Sequence, residues 1–150
     1  MITIICVGKI KEKYIKIGIE DYIKRIKKYT KIEIIEIEDE SFDKIKTLKI
    51  EAEKREKKLN KKSFIITLEI DGKQLNSVEL SNLINNSITK YSDITFVIGG
   101  SYGLDDSIKQ LSNYKLSFSN MTFPHQLFRL IFLEQLYRSY KILNNEVYHK

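Results

Sequence analysis

The sequence predicts one α/β domain with a parallel sheet and helices on both faces. Five short apolar segments, rich in β-branched residues, alternate with segments whose apolar residues recur at helical spacing. A strand joined through a helix to a second strand usually lies parallel to it, and the helix crosses one face of the sheet. The 150 residues contain no linker, repeat or low-complexity tract. We therefore expect one domain, spanning residues 1–150.

The composition is that of a globular protein with a basic charge balance. Hydrophobic residues make up 42%, charged residues 31%, and the net charge is +6. No apolar run approaches the roughly 18 residues that a membrane span needs, and residues 1–13 lack the features of a signal peptide. The expected location is the cytoplasm. The positive charge favours a polyanionic partner, although a genome biased towards lysine would produce the same excess.

Cysteine and histidine are too sparse to predict a metal site. Cys6 lies in an apolar segment and is interpreted as a small core residue. The two histidines are distant from it and give no metal-ligand spacing, so no metal is expected. The sequence also has no Cys/His pair that would support hydrolysis by a covalent nucleophile.

The first half of the chain is predicted to form two strand–helix units. Met1–Val7 is a buried strand, and Glu12–Thr30 is a helix whose apolar residues recur at steps of three and four. Lys31–Glu38 alternates between isoleucine and glutamate almost strictly, which indicates a strand near a sheet edge. Ser41 can cap a second helix that continues to about Asn60.

The second helix carries many charges, which allow two interpretations. Its inward face is predicted to consist of Ile45, Leu48, Ala52 and Leu59. The tract Glu51–Lys62 mixes glutamates with lysines and an arginine. It is either a solvated surface with charge pairs four residues apart or a contact for RNA phosphates.

The second half continues the alternation of strands and helices. The predicted strands are Ser63–Leu68, Ile94–Ile98 and Tyr114–Phe118. Asp71-Gly72 predicts a turn after the first of these. Ser77 is the expected cap of the intervening helix, and a short helix is expected near Asp105.

The last helix is apolar around nearly its whole circumference. It is predicted to span Pro124–Leu143 with Thr122 as N-cap, since proline is tolerated in the first turn. A helix with apolar residues on most sides is normally covered on more than one side. In a chain of this length, the second cover is expected to be another subunit.

Ligands of parallel α/β folds bind beyond the carboxyl ends of the strands, which directs attention to the loops after the third, fourth and fifth strands. FVIGGSYG follows the fourth strand; it differs from G-x-G-x-x-G, and it is either a tight turn or a ligand-contacting loop. SFSNMTFPH follows the fifth strand and is either a polar and apolar ligand wall or a capped connection. His125, at the end of that loop, is either a ligand-side group or a packed histidine.

The chain ends in Val147-Tyr148-His149-Lys150, beyond the last helix. Such tails are commonly frayed. The alternative is an RNA-facing group, with a tyrosine to stack on a base, a titratable histidine and a lysine for phosphate.

Several motifs together resemble one enzyme family. FVIGGSYGL, LSFSNMTFPHQLFRLIFLEQLYRSYKIL and the terminal YHK resemble the SPOUT-class methyltransferases that modify N3 of a pseudouridine in large-subunit ribosomal RNA. IICVGKIK and ITLEIDGK are also similar, so the resemblance covers essentially the whole chain. One departure is Val147, where the family usually has proline before Tyr-His.

The resemblance implies a fold, a cofactor and its binding residues. The fold would be an α/β knot whose carboxyl-terminal segment forms a trefoil knot, and the cofactor would be S-adenosylmethionine. The implied cofactor contacts are Leu68, Gly99, Phe118, Ser119, Asn120, Met121, Thr122 and Phe123.

The resemblance also implies a homodimer that acts on ribosomal RNA. His149 would assist the loss of the N3 proton and Tyr148 would position the base. Arg129, Arg138 and Lys150 are candidates for phosphate contact; the two arginines could instead support the site or pair with Glu134. Competing hypotheses are a non-catalytic RNA-binding protein and a SPOUT methyltransferase for another rRNA or tRNA position.

Overall fold

A computed structural model describes residues 1–40 and 42–150 and contains a five-stranded parallel sheet. Its strands are β1 (Ile2–Val7), β2 (Ile32–Ile37), β3 (Phe64–Gln74), β4 (Ile94–Ile98) and β5 (Tyr114–Ser117). Its helices are α1 (Lys13–Ile26), α2 (Lys44–Lys58), α3 (Ser77–Lys90), α4 (Asp106–Lys109) and α5 (His125–Leu143). The strand order is β2-β1-β4-β3-β5. The predicted α/β class and the edge position of β2 are confirmed.

Both faces of the sheet are covered, which explains why the central strands are almost entirely apolar. Ile4 and Cys6 of β1 belong to a core shared with α1, α3 and α5. Ile5 and Val7 point the other way, into a core shared with α2 and α4. Successive side chains of a strand face opposite sides, so a strand covered on both faces needs apolar residues at every position. Burial also raises the pKa of the Cys6 thiol to about 11, as suits a core residue.

The strand β3 is longer than predicted, because it pairs with β5 a second time. Leu116 of β5 aligns first with Leu68 and then, after an irregularity, with Lys73. The expected turn at Asp71-Gly72 is therefore wrong. Gly72 lies so close to β5 that a Cβ there would be 2.8 Å from the carbonyl carbon of Leu116.

Two predicted helix caps are wrong by one or two residues. The N-cap of α3 is Asn76, which forms a reciprocal capping box with Glu79. The N-cap of α5 is Pro124 rather than Thr122. Proline disfavours helical geometry in the residue before it, so α5 cannot begin upstream of Pro124. The Ser41 cap lies outside the described residues, and α2 is capped by the Asp43 carboxylate, which accepts from the Lys46 backbone at 3.0 Å.

The inward face of α2 is partly apolar and partly polar: Ala52 and Leu59 are buried as predicted, and Leu48 is half-buried. Ile45, predicted to face inward, is 75% exposed. The helix turns Thr47, Glu51 and Arg55 towards the sheet, and all three are buried. The face is set by Ala52 and Leu59, which pack in the core; the polar residues share it because they lie one turn apart along the helix.

The helix α5 lies between α1 and α3 and contacts both. Its sheet side is fully buried, with Phe132 placed 4.7 Å from the ring of Phe96 in β4. After the edge strand β5, the chain therefore returns across the sheet beneath β4. This path is compatible with the threaded knot, which stays a prediction. No helix within the described residues is long and apolar enough to cross a membrane.

Candidate active site

A pocket of about 460 Å³ opens at the carboxyl ends of β3, β4 and β5. Its walls are the loop after β4, the loop after β5, and the first turns of α5 with His125 and Phe128. This is the edge at which parallel α/β sheets bind their ligands. The volume is in the range of small-molecule sites.

Seven of the eight predicted cofactor residues line this pocket. They are Leu68, Gly99, Phe118, Ser119, Met121, Thr122 and Phe123. The eighth, Asn120, is turned towards β3, where its side-chain oxygen accepts a hydrogen bond from Gln74 Nε2 at 3.0 Å. Residues from β3 and from the loops after β4 and β5 thus converge on one cavity, at the sheet edge that the alternation of strands and helices predicted.

The loop after β4, Gly99–Gly103, is folded back on itself. The Gly103 backbone N–H donates to the Gly100 carbonyl at 3.1 Å, and Gly103 has a φ of +79°. A Cβ on Gly99 would lie 2.8 Å from the Gly103 backbone. Glycine is therefore required both for the turn and for the thin pocket wall, and the two interpretations of this loop are compatible.

The loop after β5 combines its own hydrogen bonds with aromatic packing. The Ser119 hydroxyl accepts from the Met121 backbone N–H at 3.0 Å. The rings of Phe118 and Phe123 lie 5.1 Å and 6.1 Å from that of Phe128. The loop therefore presents an apolar wall anchored on α5.

His125 provides a polar group at the rim of the pocket. Burial lowers the pKa of its imidazole, and the nearby positive charge of Arg129 lowers it further, while Asp39 opposes the shift. The ring is therefore neutral at neutral pH and offers one donor and one acceptor.

Arg129 is a buried structural group, and its predicted contact with RNA phosphate is wrong. Its side chain is 2% exposed. The Nη1 donates to Glu36 Oε2 at 2.7 Å, and Nη2 donates to the Val7 and Gly8 carbonyls at 3.1 Å and 2.9 Å. Arg129 thus ties α5 to the carboxyl ends of β1 and β2. No local spacing could reveal this, because Glu36 lies 93 positions earlier in the chain.

Replacing Arg129 with methionine is expected to lower the free energy of unfolding by about 3 kcal/mol, because two buried carbonyls and a carboxylate lose their donor. Urea unfolding measures this. The control is Arg25→Met, which removes an exposed arginine paired with Asp21; its effect is expected to be much smaller. An Arg129→Met protein as stable as the wild type would contradict the assignment.

The tail is packed on the outer side of α5 around Glu134. Arg138 donates to Glu134 Oε1 at 2.6 Å, so the pairing alternative holds for this arginine. The Tyr148 hydroxyl donates to the same oxygen at 3.1 Å, and the Arg138 guanidinium lies 4.7 Å from the Tyr148 ring centre. His149 Nδ1 is 3.2 Å from Arg138 Nη1, and Lys150 is exposed.

Glu134 has a second role in this cluster that the sequence did not predict. It was predicted only as a partner of an arginine, yet it also holds the tyrosine of the tail. Burial raises the pKa of Tyr148, and contacts with Tyr22 and Glu134 add to the shift. Tyr148 is therefore a neutral hydrogen-bond donor rather than a proton acceptor.

The tail cluster and the pocket are separated along α5 within one chain. Phe128 lines the pocket and Arg138 holds the tail; ten positions of helix correspond to about 15 Å. The structure therefore does not bring Tyr148 and His149 into the pocket of their own chain. Among the described residues, no three His, Cys, Asp or Glu side chains are gathered as a metal site.

Comparison with known proteins identifies a family and several similar sequences. Residues 1–149 match the family described as predicted SPOUT methyltransferase. A Methanococcus maripaludis protein named putative ribosomal RNA large subunit methyltransferase H is 55% identical, with 99% of each chain covered. A Clostridium tetani protein named ribosomal RNA large subunit methyltransferase H is 48% identical with the same coverage.

A structural comparison shows the same fold at low identity. A probable methylase family protein from Haemophilus influenzae Rd KW20 matches with a TM-score of 0.55 and 12% identity, over 99% of this chain and 70% of that one. The family is assigned by the match over residues 1–149 and by the relatives that are 48–55% identical, whereas the structural likeness shows the fold alone. This chain belongs to the SPOUT methyltransferase family.

Proposed function

We propose that this protein transfers a methyl group from S-adenosylmethionine to N3 of a pseudouridine in large-subunit ribosomal RNA, in the cytoplasm. The observation that carries the proposal is the pocket where the Gly99–Gly103 loop meets Phe118–Phe123. The names of the relatives at 48–55% identity support the class of RNA.

The pocket suits a ligand that is partly aromatic and partly charged. Phe118 and Phe123 offer apolar surface for a purine ring, and the glycine loop allows close approach to backbone polar groups. S-adenosylmethionine would supply a methyl group on an already activated sulfonium. The task left to the protein is to align the target nitrogen and to assist the loss of its proton.

His149 is the proposed catalytic side chain, and its contact with Arg138 specifies its role. An arginine only donates hydrogen bonds, so Nδ1 of His149 is the acceptor and Nε2 carries the proton. In this arrangement His149 presents an N–H, which can stabilise the negative charge on a carbonyl next to N3 as the N3 proton passes to water. To act as a general base, His149 must first release Arg138. Tyr148 is proposed to position the target nucleobase beside His149.

A homodimer is proposed because the tail lies about 15 Å from its own pocket along α5. The exposed apolar side chains Tyr14 (64% exposed) and Ile17 (56%) lie on α1, the helix that packs against α5. Apolar surface of this kind is typical of isologous contacts. The tail of one subunit would then complete the pocket of the other.

Mixing two inactive variants tests this arrangement. His149→Ala removes the tail group and Gly99→Val disrupts the pocket. Random re-association is expected to restore about a quarter of wild-type activity, because half the dimers are mixed and each has one intact site. Light scattering is expected to show a dimer at micromolar concentration. No recovery from stable mixed dimers would contradict a site shared between subunits.

The lysine-rich surfaces of α1 and α2 are proposed to bind RNA phosphates. If about four to six phosphates are contacted, log K should fall against log[salt] with a slope of about −3 to −5. Filter binding with an rRNA fragment across a salt series measures this slope. A flat dependence would show that the lysines of α1 and α2 only solubilise the protein.

Two experiments separate the proposal from its alternatives. Calorimetry is expected to show S-adenosylmethionine binding without added metal; absence of binding at millimolar cofactor would favour a non-catalytic RNA-binding protein. Mass measurement of rRNA fragments from cells lacking the gene is expected to show the loss of one methyl group on a pseudouridine. Loss at another rRNA position or in tRNA would redirect the substrate assignment.

A further inference from the structure

Two oppositely charged side chains are buried on α2, outside the pocket. Arg55 is fully buried and Glu51 is 2% exposed. Arginine and glutamate are among the residues least often fully buried, because removing their charge from water is costly. Burial raises the pKa of Glu51 and lowers that of Arg55.

The pair is poorly arranged for stability alone. Arg55 Nη2 is 3.6 Å from Glu51 Oε2, beyond a good hydrogen bond. Within the described residues, Nε and Nη1 of Arg55 have no hydrogen-bond partner. A buried ion pair whose hydrogen-bond donors are not all satisfied contributes little or nothing to stability compared with apolar residues of the same size.

Both members of the pair contact the strand-to-loop junction that forms one pocket wall. Arg55 Nη2 donates to the carbonyl of Ile98 at 3.3 Å. Ile98 is the last residue of β4 and directly precedes Gly99. Glu51 lies under the next glycine, since a Cβ on Gly100 would be 3.3 Å from Glu51 Oε2.

We propose that Glu51 and Arg55 are positioning residues for the Gly99–Gly103 loop, and so for the cofactor that this loop contacts. The inference rests on the proposed function, because that function identifies the cofactor as S-adenosylmethionine. Arg55 fixes the direction in which the chain leaves β4, and Glu51 holds the guanidinium and supports Gly100 from below. Three of the five loop residues are glycines, which restrict the backbone least, so contacts from α2 supply support that the missing side chains cannot give.

The test compares Glu51→Gln, Arg55→Met and Arg55→Lys with the wild type. Glu51→Gln preserves size but removes the charge opposite Arg55. The dissociation constant for S-adenosylmethionine is expected to rise at least about tenfold in Glu51→Gln and Arg55→Met, with a smaller rise in Arg55→Lys, which keeps the charge. Methyl transfer at saturating cofactor is expected to change less than about threefold, because neither residue touches the reacting atoms. The control is Lys54→Gln, on the same helix, whose ammonium pairs with Glu38 and Glu40.

Amide hydrogen exchange gives a readout independent of the cofactor. Exchange in residues 99–103 of the ligand-free protein is expected to be at least about tenfold faster in Glu51→Gln than in the wild type, with β2 and α1 unchanged. If Arg55→Met does not fold, Glu51→Gln alone decides. Unchanged loop exchange together with unchanged affinity would overturn the positioning role. A wild type that binds no S-adenosylmethionine would instead overturn the proposed function, and the exchange measurement would still test the loop.

Discussion

Removal of Val147–Lys150 is expected to abolish methyl transfer, by at least about 10³-fold, while S-adenosylmethionine affinity changes less than about threefold. The truncation deletes the two proposed catalytic side chains, and general acid–base or electrostatic groups of this kind each contribute about 10²–10⁴-fold. The pocket is about 15 Å away along α5 and keeps its walls. Single-turnover kinetics and calorimetry measure the two quantities separately.

The cut is placed after Glu146 because that residue helps to hold the end of α5. Its carboxylate accepts from Lys141 Nζ and from the Tyr29 hydroxyl, both at 2.8 Å. Keeping it separates loss of chemistry from loss of packing. His149→Ala alone is expected to slow transfer about 10²-fold, and Lys150→Gln to weaken RNA binding only slightly. Turnover within threefold of the wild type in the truncated protein would refute the catalytic assignments of Tyr148 and His149.

Replacing Gly99 with alanine is expected to weaken S-adenosylmethionine binding at least about tenfold, and with valine to abolish it at millimolar concentration. The added Cβ would lie 2.8 Å from the Cα and carbonyl carbon of Gly103. These are backbone atoms that cannot rotate away, so the loop must move. The side chain would thus disrupt the pocket wall of its own chain before it reached a ligand.

The matched control for this change is Gln110→Ala, an exposed position that directly follows α4 and does not line the pocket. Its affinity for the cofactor is expected to stay within about threefold of the wild type. The thermal midpoint of Gly99→Ala should fall by no more than about 5 °C, because the loop lies outside both cores. Wild-type affinity in Gly99→Ala would show that the loop does not shape the binding site.

The sequence by itself determined the elements and the region of the site. Apolar runs and helical spacing predicted five strands, a parallel sheet and the loops at its carboxyl edge, because both signals arise from neighbouring residues. The family resemblance predicted seven residues that line the pocket, six in two of those loops and Leu68 in β3. Errors at this level were local: the turn at Asp71-Gly72 and the cap at Thr122 each depended on competition with a neighbouring strand or proline.

The tertiary structure alone decided which charged side chains lie at the surface and which are buried. Arg129 and Arg55 are indistinguishable in sequence from solvated arginines, yet each is buried because its partners come from distant segments: Glu36 and β1 for one, the end of β4 for the other. The same holds for the tail, whose sequence allowed fraying, whereas Glu134 and Arg138 hold it on α5. The groups that partly compensate these buried charges are assembled by topology rather than by spacing along the chain.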